Sequence, residues 1–404
     1  MNRKKFFTDL LYGTIGLVAM NAVLSLLVYP LIERRLGIEA QGSVLFFMSV
    51  AALMASSFGS GANYGRMKIY AEERHTVNGE SNLFLLLTAV LSVIVTAVAV
   101  LLKGDSAGAA AAGIFAVIFA TAVRTYADVE YRLSLNYRRF SVYYLLIAAG
   151  YGLGLLLFFL TKRWVLIFLT GEFFGLLYVT LSGSIFKKPY FERTDRFKAH
   201  FLTCSKLSVS YLLSDIVGVS DRLLFPILIT GGDKLTSLYY YASLVGKITS
   251  LLSTPLNGVL TGYISKREEG IGRKTFLKIT GFLAAVFLVV TAAAVGGSHL
   301  FVRLFYSAYF EEVKSLFILA NAGQVLFFVC NTLMVIVLRY TAERNQLIVN
   351  ICYIIVFFAV TVPLVLNHGV FGMAWGILIA NAFKFAVYTA VGFFGLRPEK
   401  GDGK

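Results

Sequence analysis

The chain has 404 residues, 58% hydrophobic and 15% charged, with 37 Lys and Arg against 22 Asp and Glu, and its mean hydropathy is +0.75. A water-soluble chain carries roughly 45–50% apolar and about 25% charged residues, so the apolar surplus excludes a soluble fold and has to face lipid. The net charge of +15 requires no nucleic-acid partner, because basic loops are the usual neighbours of anionic headgroups in a phospholipid bilayer.

From the N-terminus, apolar stretches of about twenty residues, enough to cross about 30 Å of hydrocarbon, recur between short polar breaks. The first, 10–32, follows a basic start but exceeds a signal-peptide core and has no small-x-small cleavage site after it, so it is expected to stay as a helix. The others are 42–64, 83–102, 109–130, 141–161, 164–186, 201–230, 236–263, 276–297, 314–338, 346–366 and 371–396. These predict an all-α membrane protein of twelve transmembrane helices. With the N-terminus inside, 24 of the 37 Lys and Arg fall in inside segments and 8 in outside loops, which places both termini on the cytoplasmic side of the cytoplasmic (inner) membrane.

Each of the second six helices lies about half a chain length beyond its counterpart in the first six, the spacing of a tandem repeat. An even number of helices per half gives both halves one orientation, related by a pseudo-two-fold axis along the membrane normal. The expected lobes are 1–198 and 199–404, with Pro30 and Pro226 the best-matched positions between them.

Several apolar helices carry polar stripes. Tyr240, Ser243, Lys247, Ser250, Thr254, Asn257 and Thr261 follow steps of three and four, and so do Ser208, Tyr211, Asp215, Gly218 and Arg222. Ser49, Ser56, Ser60, Asn63 and Arg66 mark the second helix, Thr121, Arg124, Asp128 and Arg132 the fourth, and Thr14, Asn21 and Ser25 the first. Glu172 lies in the sixth, Asn321, Gln324 and Asn331 in the tenth, and Asn381 and Lys384 in the twelfth. A charge at the bilayer centre costs about 2.5–3.5 kcal/mol on insertion scales, so such residues call for a wet interior or a partner.

Lys247, Lys384, Arg222, Arg124, Asn21, Asn63, Asn257 and Asn381 are therefore candidates for a substrate cavity. Asp215, Asp221, Asp128 and Glu172 are candidates for internal ion pairs or for H+ or Na+ coupling. If Asp128 pairs with Arg124 one turn away, and Asp215 with Arg222 or Asp221 with a neighbouring helix, Lys247 and Lys384 are left to meet a phosphate-bearing headgroup. Arg66, Arg132 and Lys206 lie close enough to helix ends to snorkel. The Ser, Thr and Gly positions equally suit helix packing. His75, His200, His299 and His368 sit in loops or at helix ends, and Cys204, Cys330 and Cys352 have no metal or disulfide spacing. No nucleotide-binding loop occurs, so no enzyme, metal site or cofactor is indicated.

Short motifs carry a family resemblance along the whole chain. The run from Glu33 to Gly42, with Arg35, Leu36 and Gly37, resembles the R-x-L-G-x-x-x-x-G turn of the Wzx-like oligosaccharide flippases in the multidrug/oligosaccharidyl-lipid/polysaccharide (MOP) exporter superfamily. Asp221-Arg222 resembles their D-R pair, and Gly231-Gly232 with Tyr239 to Ala242 their G-x-x-x-Y-x-x-A stretch. Leu304 to Tyr309, and Gly369 to Ala374, also match the pattern. The resemblance implies a MATE-like fold of two six-helix lobes around a central cavity, working by alternating access. It implies as cargo an undecaprenyl-diphosphate-linked oligosaccharide for O-antigen (lipopolysaccharide), capsule or exopolysaccharide biosynthesis, with polysaccharide polymerase machinery nearby. Two alternatives stay open, a MATE-like multidrug exporter and a non-transporting membrane component of a glycan assembly complex.

Overall fold

A computed structural model describes residues 3–73, 78–104, 108–182, 185, 188, 190–251, 271–340 and 343–396. Hydrocarbon offers no partner to a bare backbone N–H or C=O, so long helices are the form these apolar stretches take. Helix α1 runs Arg3–Val23, passes through a π-turn at Leu24–Val28 and continues as Tyr29–Leu36. Helix α2 does the same, with Ile38–Met54, a π-turn at Ala55–Gly59, and Ser60–Glu73. Then come α3 (Asn78–Lys103), α4 (Gly108–Ala127, resuming as Val129–Leu133), α5 (Tyr137–Thr161) and α6 (Val165–Leu181). The second series holds α7 (Phe197–Leu228), α8 (Gly232–Leu251), α9 (Arg273–Phe305) and α10 (Phe317–Tyr340).

The run Glu343–Gly395 is interrupted at Gly369, with φ 52° and ψ −124°, a backbone conformation open to glycine, which has no Cβ. The chain reverses there: a Cβ on Gly372 would lie 1.9 Å from Leu364 O, and one on Gly376 2.5 Å from Thr361 Oγ1. The segments on either side are α11 and α12, which completes the twelve expected helices. Among the described residues, eight helical runs are apolar and long enough to span a bilayer. Helix α6 is shorter, α11 and α12 form one such run, and α7 and α8 fall short because charged residues dilute them: Lys206, Asp215, Asp221 and Arg222 in one, Asp233, Lys234 and Lys247 in the other.

The chain forms two compact units, Met1–Asp233 and Lys234–Lys404. In the first, α5 crosses α6 at glycines: a Cβ on Gly150 would fall 2.8 Å from Gly171 Cα, and one on Gly154 2.7 Å from Ile167 Cα. The π-turn of α2 sets Gly59 against Ala122 of α4, and Gly61 and Gly65 receive Ser208 and Cys204 of α7. In the second unit, Phe276, Leu283, Val329, Leu333 and Tyr388 form an apolar core joining α9, α10 and α12. Asn321 staples α10 to two neighbours, donating to Ala242 O and Ser298 Oγ at 3.0 Å and accepting from Gly246 N at 2.7 Å. Outward faces are apolar, as Leu86, Val90, Val93 and Leu101 show on α3.

Candidate functional site

The polar residues of the first unit converge on its interior. Asp128 interrupts α4 and is fully buried. It accepts from Arg132 Nε at 2.7 Å and Nη2 at 3.0 Å, from Asn63 Nδ2 at 2.6 Å and from the Tyr144 hydroxyl at 2.9 Å. The Arg132 guanidinium also lies over the rings of Phe140 and Tyr64, at 5.2 and 5.8 Å. One turn away, Arg66 donates to Glu130 Oε1 at 2.7 Å and to the Tyr126 hydroxyl at 2.8 Å.

Deeper along α4, Arg124 Nη1 donates to Glu172 Oε1 and to the Tyr151 hydroxyl, both at 2.8 Å, and the Tyr143 hydroxyl donates to Arg124 O at 3.1 Å. Three arginines and three carboxylates thus tie α2, α4, α5 and α6 together. Desolvating such charges costs several kcal/mol per ion, and close geometry with extra hydrogen bonds offsets it.

This arrangement corrects three expectations. Asp128 pairs with Arg132 and not with Arg124, because Arg124 faces α6, where Glu172 supplies its counter-charge. Arg66 and Arg132 do not snorkel; both turn inward to acids that offer more than headgroups at the helix end. Asn63, expected on a cavity face, is a bracket between α2 and α4, donating also to Thr125 O at 2.9 Å. Asn21 donates to Leu17 O at 2.8 Å, a bond back to its own helix. Lys206, in contrast, is exposed.

The second unit encloses its own pair. Asn381 Nδ2 donates to Gly323 O at 3.0 Å, and its Oδ1 accepts from the Tyr353 hydroxyl at 2.9 Å. Lys384 is 4% exposed. Its Nζ donates to Asn331 Oδ1 at 3.2 Å and lies over the rings of Tyr353 and Phe327, at 4.6 and 5.0 Å. Asn381 and Lys384, expected to face a cavity, therefore point into their own bundle. Two aromatic faces and an amide stand in for the water an ammonium would otherwise require.

Charged residues also mark the two striped helices. Asp215 and Arg222 of α7 and Lys247 of α8 are half-buried, and Asp221 is buried. Asp215 has the Ser56 hydroxyl as a hydrogen-bonding neighbour. Asn257 lies outside the described residues, as do Thr254 and Thr261. Among the described residues no group of three or more His, Cys, Asp or Glu is placed to hold a metal ion.

Sequence reasoning passed over the partners: Glu130, Tyr126, Tyr143, Tyr144 and Tyr151, and a contact between Glu80 and His200. One signal was available, since Tyr144 and Tyr151 stand one heptad apart on α5 and so share its inner face.

No protein-family model and no curated protein matches this sequence. Solved structures do. An inward-facing multidrug resistance MATE family transporter of the MOP superfamily superposes with TM-score 0.65 at 14% identity, over 95% of this chain and 96% of that one. The lipid II flippase MurJ, in an inward closed conformation, gives TM-score 0.57 at 13% identity, over 96% of this chain and 86% of MurJ. The Vibrio cholerae MATE transporter VcmN, in its bent form, gives 0.55 at 13% identity, over 97% of both chains. At such identities the likeness is one of fold, and it runs the length of the chain. This multi-pass membrane protein has the all-α fold of the MOP-superfamily transporters.

Proposed function

We propose that the chain is a flippase for polyprenyl-diphosphate-linked oligosaccharide, moving the headgroup across the cytoplasmic membrane by alternating access of the lobes 1–198 and 199–404. Fold likeness over nearly the whole chain supports a transporter, and the likeness to a lipid II flippase supports lipid-linked cargo.

The observation that favours an anionic cargo is the state of the buried acids. Asp128 and Glu172 are each neutralised by an arginine at 2.7–2.8 Å, so neither offers spare negative charge to an organic cation. The half-buried Lys247 is the base we assign to the diphosphate, as a charge-assisted donor to its oxygens. Lys384 drops out of that role in this conformation because its ammonium is enclosed. The proposed machinery needs no cofactor beyond H+ or Na+ coupling, for which Asp215 and Asp221 are the carboxylates we assign.

The structural likeness to multidrug transporters keeps drug export as the second reading, and one experiment separates the two. Proteoliposomes carrying the protein are given a fluorescent polyprenyl-diphosphate glycan in one set and a fluorescent organic cation in another. Flipping of the glycan, lost at least tenfold in Lys247→Ala, is the expected result; transport of the cation alone would overturn the proposal. Movement of neither would favour a non-transporting partner of glycan-assembly enzymes.

A further inference from the structure

Between α6 and α7, residues 190–196 lie across the N-terminal end of α3 and are held there by polar contacts. Asn82 Nδ2 donates to Tyr190 O at 2.8 Å. Gly79 comes so close that a Cβ on it would fall 2.2 Å from Glu192 N. Glu80 Oε1 accepts from the backbone N–H of Thr194 at 2.9 Å and from its hydroxyl at 2.5 Å. The second carboxylate oxygen, Oε2, meets His200 Nδ1 in the first turn of α7 at 2.6 Å. One buried carboxylate thus fastens both the connecting segment and the helix that follows it.

Behind this fastening lies a cavity between α2, α3 and α7, lined by Arg66, Glu80, Phe84, His200, Phe201 and Cys204. Phe84 of α3 meets Phe201 of α7 there, ring centroids 5.3 Å apart, but residues 190–196 themselves bring little apolar burial to the closure. Tyr190 and Phe191 are exposed, as are residues 192–196. Segments held by a few hydrogen bonds, without a buried apolar face, are the ones that open at low free energy.

We propose that residues 190–196 form a releasable strap with Glu80 as its keeper. While Glu80 holds Thr194 and His200, the strap lies down, the first turn of α7 stays on α3, and the cavity is closed. When Glu80 lets go, the strap lifts, α7 separates from α3 at that end, and Cys204 becomes accessible. The device is independent of cargo, since every contact in it lies within the chain.

Cys204 supplies the readout. In full-length protein in nanodiscs, with Cys330→Ser and Cys352→Ser leaving Cys204 as the only thiol, the rate of reaction with a fluorescent maleimide reports opening. Glu80→Gln, which exchanges two charge-assisted acceptors for one neutral one, is expected to raise that rate about tenfold. Thr194→Val removes only the hydroxyl bond and is expected to give a smaller rise. The pair Glu80→Cys and Thr194→Cys, oxidised to a disulfide, is expected to label more slowly than the parent. Equal rates in Glu80→Gln and parent, or a disulfide that leaves labelling unchanged, would overturn the strap. Should Glu80→Gln fail to fold, the exposed Thr194→Val decides alone, and a labelling rate equal to the parent's would overturn the strap.

Discussion

Arg124 and Glu172 meet at 2.8 Å, with side chains 14% and 2% exposed, and removing either leaves the other charged in a dry interior. Breaking such a pair costs about 3–5 kcal/mol, whereas replacing both partners with apolar residues is often neutral. Arg124→Leu and Glu172→Leu are each expected to lower the unfolding temperature in detergent, and the double variant to recover most of the loss. Equal losses in all three would mean that the pair does not act as a unit. Lys384 gives the opposite expectation. Its ammonium has one hydrogen-bond acceptor and two rings, so Lys384→Met, similar in length and without a charge to desolvate, is expected to hold or raise the unfolding temperature. A fall of more than a few degrees would make the ammonium a fastener of the bundle. At this scale the sequence announced which residues avoid lipid, because a mid-membrane charge is costly wherever it sits. It could not announce their partners. Arg124 reaches 48 residues along the chain to Glu172 and Arg66 reaches 64 to Glu130, and helical spacing says nothing about pairs on different helices.

Helices, by contrast, were legible almost throughout, since length and hydropathy decide them. The expected break between 366 and 371 contains Gly369, and that between 230 and 236 contains the turn at Gly231. Hidden from periodicity were the π-turns at Leu24–Val28 and Ala55–Gly59 and the interruption of α4 at Asp128, each an irregularity of one or a few residues inside an apolar run. Close glycine crossings were hidden too, because small residues signal packing without naming the partner. The crossing of α5 and α6 provides a paired test. Gly154→Ala sets a methyl 2.7 Å from Ile167 Cα, while Gly152→Ala meets nothing within 4 Å. Overpacking costs roughly 1–3 kcal/mol and an unhindered helical Gly→Ala gains up to about 1 kcal/mol. The first substitution should therefore lower the unfolding temperature and the second should not. If both behave alike, contact at Gly154 does not limit stability.

At the scale of the molecule, composition alone excluded a soluble fold, and the tandem spacing of helices agreed with a fold now matched along its length by MOP-superfamily transporters. Which polar side chains turn into their own bundle was beyond the reach of sequence reasoning: Asn63, Asn381 and Lys384 fill the interiors of their own units, and only coordinates separate an inner face from a wet one. The sidedness we propose from the basic loops can be checked directly. A phosphatase that works only outside the cytoplasm should be inactive when fused after Lys404 and active when fused after Lys162. The reverse pattern would invert the proposed topology.

The reversal at Gly369 bears on how the protein is made. A single residue turning the chain between two apolar helices suits their entering the bilayer together as a hairpin. On that route the charges after α12 are one contribution among all the basic loops to where the tail finishes. Exchanging Arg397, Lys400 and Lys404 for glutamine would leave the end of the protein on the same side.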